Sequence, residues 1–385
     1  MLYGLIKFKK KEIQAICIIL ITSIIGIAIR ERVINFVSSD FTIYLERWYD
    51  FIFNNGKILA LKYNFADYTM PYIYLLTLGT YIKISALKYI KLVSIIFDFV
   101  AAIIAIFIVK KKYPNKITAY FAYPLIILLP TVILNGALWA QCDIIFTAFM
   151  LIAIYFIMNE KYSLAVLFFA IAFTFKLQTI FISPLFLVLL LKKKIKLRNT
   201  FIVPAVYFIF MIPALIEGRG LLSLLTIYLD QSKEKSELTL NLPNIYFMVP
   251  DDSNVKLLTY VGILLAVLLV LAVVFIQVKY VKELTNEKII ELSLIFTIVI
   301  PFLLPRMHER YYFTADVISV LYAFYFPKRF FVPIIIQTAS VLAYVMFLFN
   351  MEVIPLPFVA LTVFADILFI FYMYIQSTTT KSPNI

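Results

Sequence analysis

Long apolar runs separated by short polar stretches recur along the whole chain. Runs of roughly 17–25 apolar residues match the length that crosses a ~30 Å hydrocarbon core. They do not alternate apolar with polar residues, as the strands of a membrane barrel do. The pattern predicts an all-α, polytopic transmembrane helical bundle of about 12 spans. In order, these cover about 13–29, 92–109, 117–134, 144–158, 162–175, 179–191, 200–216, 255–276, 289–304, 313–326, 330–349 and 357–375. Two longer polar stretches interrupt the series: a first outer segment, about 30–90, and a second outer loop, about 217–253. The piece Pro71-Tyr72-Ile73-Tyr74-Leu75-Leu76 is too short to cross, so helices lying in the membrane interface are expected in the first segment.

Composition agrees with lipid as the main solvent. Of 385 residues, 63% are hydrophobic and 15% charged, and the mean hydropathy is +0.97. A single integral membrane domain over 1–385 is expected. The net charge of +13 is not a nucleic-acid signature. Its clusters, Lys7 to Lys11, Lys110-Lys111-Lys112, Lys192-Lys193-Lys194 and Lys328-Arg329, each lie just beyond an apolar run. Cytoplasmic loops carry that bias. Threading by this rule puts both termini in the cytoplasm. The basic start followed by Ile13–Ile29 resembles a signal peptide. No small-residue cleavage site follows Arg30-Glu31-Arg32, however, so it is read as an uncleaved first span. Cys17 and Cys142 offer neither a disulfide framework nor a metal spacing.

The same threading places four polar motifs on the outer side. The first begins Ser38-Ser39-Asp40 and continues to Asp50. If it is helical from Ser39, Asp40, Tyr44 and Arg47 share a face, with Ser38 or Ser39 as the N-cap. Asp40 is then a candidate general base towards a hydroxyl, and Tyr44 and Trp48 are candidates for stacking on a sugar. The alternative is an amphipathic interfacial helix with an aromatic belt. In Trp139-Ala140-Gln141-Cys142-Asp143, Gln141 and Asp143 are candidate ligand contacts, or else Asp143 serves the next helix as a cap. Lys176 and Gln178 lie between two short spans. Lys176 suits a phosphate or snorkels to headgroups.

The fourth motif, Pro305-Arg306-Met307-His308-Glu309-Arg310-Tyr311-Tyr312, holds the only histidine. Charge at the edge of a bilayer is costly and marks a functional candidate. A helical start would place Arg306 and Arg310 on one face, where two guanidiniums can grip a phosphate. Glu309 is positioned to orient Arg306, and His308 to donate to a leaving phosphate oxygen. The alternative is a self-neutralising Arg-Glu-Arg pin. One histidine makes a zinc site an unsuitable reading. Asp98 and Asp366, inside spans, are expected to face the bundle and bond between helices.

These residues, in this order, resemble the C-type glycosyltransferase superfamily. The resemblance is greatest to bacterial mannosyltransferase-like proteins related to the second mannosyltransferase of glycolipid-anchor synthesis. It rests on Asp40 before Trp48 and Gly56, on Tyr68-Thr69-Met70-Pro71-Tyr72-Ile73-Tyr74, on Trp139 to Asp143, and on Met307-His308-Glu309-Arg310-Tyr311. The departures are Ala140 where the family has glycine, Thr69-Met70-Pro71 for a Pro-Pro pair, and Lys176-Leu177-Gln178 without a central proline.

The resemblance implies an inverting membrane enzyme of the cell envelope, working on the extracytoplasmic face. It would transfer a sugar, mannose or another hexose, from a polyprenyl-phosphate donor to a glycan or glycolipid acceptor. Asp40 would be the base, and the late basic motif would recognise phosphate. No cofactor is expected, although Asp40 and Asp143 would share a divalent cation if they converged. Membrane lipid is the other expected partner. Two further readings stand beside it, a polymerase or ligase using pyrophosphate-linked glycan and a lipid-linked sugar transporter. The lysine- and isoleucine-rich composition suggests an AT-rich bacterial genome.

Overall fold

The structure, a computed structural model, describes residues 2–233, 237–250 and 254–379. Glu234, Lys235, Asp251 and Asp252 of the second outer loop lie outside the described residues. The structure is 78% helical, and almost no strand occurs among the described residues. Among the described residues six helices are long and apolar enough to cross a membrane: Lys10–Val33, Ala86–Lys110, Leu197–Ile216, Val255–Tyr280, Pro327–Phe349 and Leu356–Thr378. This is an all-α membrane protein. Shorter apolar helices include Met70–Gly79, Asp143–Met158, Tyr162–Phe175 and Phe313–Tyr325.

The run expected to be one span over 117–134 is broken. Ile117–Ile127 and Pro130–Leu138 meet at 44°. Pro130 has no N–H to continue the helix, and Leu129 before it takes an extended conformation, ψ 125, as residues before proline do.

The chain divides into two compact units, Met1–Thr179 with Thr200–Glu234 and Ile180–Asn199 with Lys235–Ile385. In the first unit, Ala86–Lys110 starts at an N-cap, where the Ser85 side chain accepts from Lys88 N. It packs on Asp143–Met158, which packs on Tyr162–Phe175, which in turn packs on Ile202–Ile216. One face of Ala86–Lys110 is polar and fully buried: Lys91, Ser94 and Asp98. Arg30, 1% exposed, places Nε and Nη2 each 2.9 Å from Asp98 Oδ2. Its guanidinium also donates to Gly26 O and Ile127 O, both at 3.0 Å. Asp98 thus bonds between helices as expected, with an arginine as the partner.

In the second unit the helices Asn286–Leu303, Phe313–Tyr325, Phe331–Phe349 and Leu356–Thr379 pack in sequence order. Glu291 accepts from Lys288 Nζ at 2.8 Å and Arg329 Nη1 at 3.1 Å. Arg329 also donates to the Tyr322 hydroxyl at 2.6 Å, and Lys288 to Ser377 Oγ at 2.6 Å. Asp366 is buried as expected, but neither carboxyl oxygen has a hydrogen-bond partner among the described residues. It does not make the interhelical bond read for it.

Removing one partner of a buried ion pair strands the other charge, at a cost of about 3–5 kcal/mol. Asp98→Leu is therefore expected to destabilise the first unit by that order. Arg30→Met combined with Asp98→Leu should recover most of the loss. Denaturant unfolding of the three proteins in mild detergent measures the coupling, and equal losses in the single and double variants would exclude it.

Candidate functional site

The first segment forms as its residues dictate. Ser38 caps residues 39–54, its Oγ accepting from Phe41 N at 3.2 Å and donating to Trp139 O at 2.8 Å. Asp40 falls in the first turn, where a carboxylate suits the helix dipole. The next turn, Phe41–Leu45, is π-helical, a wide turn found often at functional sites. A second π-helical stretch, Ile133–Leu138, precedes Trp139. The two stretches bring Asp40 and the Trp139–Gln141 turn together. Trp139 Nε1 donates to Asp40 Oδ2 at 3.1 Å and Gln141 Nε2 to the same oxygen at 2.7 Å.

Ala140 occupies the left-handed region, φ 71. That conformation costs a residue with a Cβ roughly 1–2 kcal/mol, so the position favours glycine. Asp143 begins its helix without acting as the N-cap, a place held by Cys142. Its side chain turns to Asn135 Nδ2, at 2.7 Å from Oδ2, and to Lys176 Nζ, in contact with Oδ1. Lys176 is therefore buried and paired. Its ammonium also lies 5.7 Å from the Tyr68 ring and 5.9 Å from the Phe146 ring.

Tyr68 closes the arrangement. It lies against Trp48, 5.5 Å between ring centres, and Trp48 lies 6.0 Å from Tyr44. Within the first unit one line of contacts runs from Tyr44 through Trp48, Tyr68 and Lys176 to Asp143, and a separate contact joins Gln141 to Asp40. Tyr44 and Arg47 are exposed, whereas Trp48, Gln141, Asp143 and Lys176 are buried. Gln178 is half-buried, and its Oε1 is buried with no hydrogen-bond partner among the described residues. The same holds for Asn135 Oδ1 and Thr179 Oγ1. Buried polar atoms of this kind are rare in proteins, and the hydroxyls of a polar ligand are suitable partners.

Asn135 and Tyr68 were not read from sequence as site residues. Tyr68 lay within the interfacial motif, but its role depends on a contact with Lys176, distant in the chain. Asn135 opened the short loop read over 135–143, and only the fold turns its amide on Asp143.

The late motif belongs to the second unit and is not helical. Arg306 has φ 62, and Met307–His308 pairs in parallel with Thr239–Leu240. Arg306 N donates to Leu238 O at 2.8 Å, Glu309 N to Leu240 O at 2.9 Å, and the Tyr312 hydroxyl to Pro243 O at 3.0 Å. The expected single helical face for Arg306 and Arg310 is therefore absent. Backbone pairing with Leu238–Leu240, in the stretch expected as the second outer loop, takes its place. Glu309, 1% exposed, holds Arg310 Nη1 at 2.8 Å, and His308 Nδ1 lies 3.7 Å away. The expected orienting role of Glu309 is directed to its neighbour Arg310. Burial pushes the Glu309 carboxyl up, but His308 and the Arg310 guanidinium outweigh it and hold it below its ordinary 4.5.

No protein-family model matches this chain, and neither does any curated protein.

Two outcomes test these arrangements. Ala140→Gly relieves the left-handed strain but loses a buried methyl worth ~0.8 kcal/mol, so its stability should stay within about 1 kcal/mol of wild type. The β-branched Ala140→Val should lose more than that, and thermal unfolding in detergent compares them. Glu309 has a folded pKa below its unfolded one, so its stabilisation is present above pH 4.5 and lost as pH falls through the lowered value. Glu309→Gln should flatten the fall of stability below that pH, and an unchanged slope would contradict the assignment.

Proposed function

We propose that this protein is a membrane glycosyltransferase that moves a sugar, mannose or another hexose, from a polyprenyl-phosphate donor to a glycan or lipid-linked acceptor. One observation carries the reading most. Asp40, the carboxylate that the C-type glycosyltransferase resemblance assigns as base, is held at one oxygen by two side chains of the Trp139–Gln141 motif. Two motifs that the resemblance groups by order alone thus make one contact. The unpartnered oxygens of Asn135, Gln178 and Thr179 and the aromatic line from Tyr44 to Tyr68 suit a hydroxyl-bearing ring.

In this reading Asp40 takes the proton of the acceptor hydroxyl as that oxygen attacks the anomeric carbon. The glycosidic bond to phosphate breaks on the opposite side, which gives inversion. Lys176 supplies positive charge for the leaving phosphate within the first unit, and phosphate recognition is the role the resemblance implies for Arg306, His308 and Arg310 of the late motif. Glu309 holds Arg310 in position. The finer membrane reading goes with this proposal: about 12 crossings, both termini cytoplasmic, residues 39–54 and Met70–Gly79 at the interface, and the site outside a bacterial cell membrane.

Asp40→Asn keeps an oxygen for Trp139 and Gln141 and removes the base. Purified protein given a polyprenyl-phosphate-linked hexose and an acceptor should lose transfer by about 10²–10⁴-fold, with an unchanged unfolding midpoint. Turnover near wild type in that variant would sink the reading.

A further inference from the structure

The helix Asn286–Leu303 delivers the late motif, and it stops there for local reasons. Leu304 leaves it in an extended conformation, ψ 142. Pro305 follows and has no N–H to continue the ladder. A helix end leaves its last carbonyls without partners inside the helix, and a carbonyl shielded from water requires one elsewhere. For Leu303 that partner is distant in sequence. The Tyr246 hydroxyl donates to Leu303 O at 2.9 Å.

Tyr246 reaches this carbonyl through a gap between two helices. It is 6% exposed and belongs to the short turn Ile245–Met248, where Asn244 Oδ1 accepts from its N–H at 3.1 Å. Its hydroxyl lies against Gly262 of the helix Val255–Tyr280. A Cβ at position 262 would stand 1.7 Å from the Tyr246 hydroxyl oxygen and 2.9 Å from Leu303 O. Only glycine leaves the space for that oxygen. Glycine weakens a helix interior, so position 262 favours the contact over the helix.

Three ties therefore hold the late motif to one loop. Before the motif, Tyr246 holds Leu303. Along it, Arg306 N and Glu309 N donate to Leu238 O and Leu240 O. After it, the Tyr312 hydroxyl donates to Pro243 O. The last two act on the motif itself. Tyr246 acts on the helix end from which the motif springs, just ahead of the left-handed turn at Arg306, φ 62. Without that tie the helix end and the paired strand are joined only through Leu304 and Pro305, and the motif is free to tilt on its pairing.

We infer that Tyr246, seated in the space that Gly262 leaves, is a positioning residue for the late motif. It sets the angle at which His308 and Arg310 are presented beside Glu309. The consequence for sugar transfer rests on the proposed function, whereas the positioning itself does not.

His308 is the only histidine, so isotope-labelled histidine gives NMR ring signals from the motif alone. Full-length wild type in detergent is compared with Tyr246→Phe, Gly262→Ala and Gln277→Leu. Tyr246→Phe keeps the ring and its packing and removes one oxygen. Gln277→Leu removes a buried bond of 2.8 Å to the Tyr374 hydroxyl elsewhere in the same unit, and it serves as the control for a merely structural effect. The His308 signals should shift or split in Tyr246→Phe and Gly262→Ala and stay in place in Gln277→Leu. Unmoved signals in Tyr246→Phe would overturn the inference. So would an equal shift in Gln277→Leu, which would mean a general loosening of the unit. In transfer assays Tyr246→Phe should raise the KM for the sugar donor about 2–10-fold, the range set by one hydrogen bond, and leave the KM for the acceptor unchanged. A wild-type donor KM in an active Tyr246→Phe enzyme would also overturn it. A wild type that transfers no sugar would count against the proposed function, and the His308 comparison would then decide the positioning alone.

Discussion

The polar face of the helix Ala86–Lys110 is the constraint on which the first unit depends. Lys91, Ser94 and Asp98 follow one another at helical spacing and are fully buried. Lys91 Nζ donates to Ile34 O at 2.9 Å and Phe36 O at 2.6 Å. Ser94 Oγ donates to Gln141 O at 2.7 Å, and Asp98 holds Arg30. A single rigid element therefore grips the end of the first helix, the approach to Asp40 and the turn that supplies Gln141. In an apolar surrounding each of these bonds is expensive to leave unmade. The helix cannot slide or turn without breaking several together. Gly136 allows this approach, since a Cβ there would lie 3.1 Å from the Ser94 Cβ.

The late motif is held by a different physical device. Its order comes from backbone pairing and from a carboxylate buried beside Arg310. Strand pairing uses N–H and C=O groups and leaves side chains to face outward from the chain, so a two-residue strand can hold Met307–His308 in place. The same pairing explains the left-handed Arg306. The chain must leave the helix Asn286–Leu303 and turn within three residues to meet Leu238–Leu240.

What was legible in the residues follows from this difference. The long helices were legible because a helix satisfies its backbone hydrogen bonds within its own segment, as hydrocarbon demands, and the long apolar runs carry that requirement locally. Asp40, Gln141, Lys176 and the late motif stood out because charged and amide groups are scarce between such runs. The partners were hidden. Arg30 reads as the polar end of a span, and nothing local ties it to Asp98. Lys91 reads as an ordinary interfacial lysine beside Lys88. The pairing of Leu238–Leu240 with the late motif has no periodic signal, since a strand of two residues has no alternation to show. The bend at Leu129 was carried by Pro130 and was readable, but the apolar run on either side masked it. The glycine that the resemblance expects at position 140 has its reason in the left-handed turn that Ala140 adopts at some cost.

The buried cations of the first unit complete the argument by comparison. Arg30 is answered by Asp98 and Lys176 by Asp143, each an acidic side chain. Lys91 is answered by two carbonyls just past the C-terminus of the first helix, where the helix dipole is negative. Arg219 has an amide, a hydroxyl and a thioether. The first three are what a fold requires to bury a charge, and they hold helices and loops in place. The fourth has hydrogen bonds but no acidic side chain among its partners in the described residues of the unit. Proteins keep such departures from local consistency mainly at functional positions. Arg219 is distinguished from the other three by that physical difference, and its contact with Met70 puts it beside the Tyr68 segment.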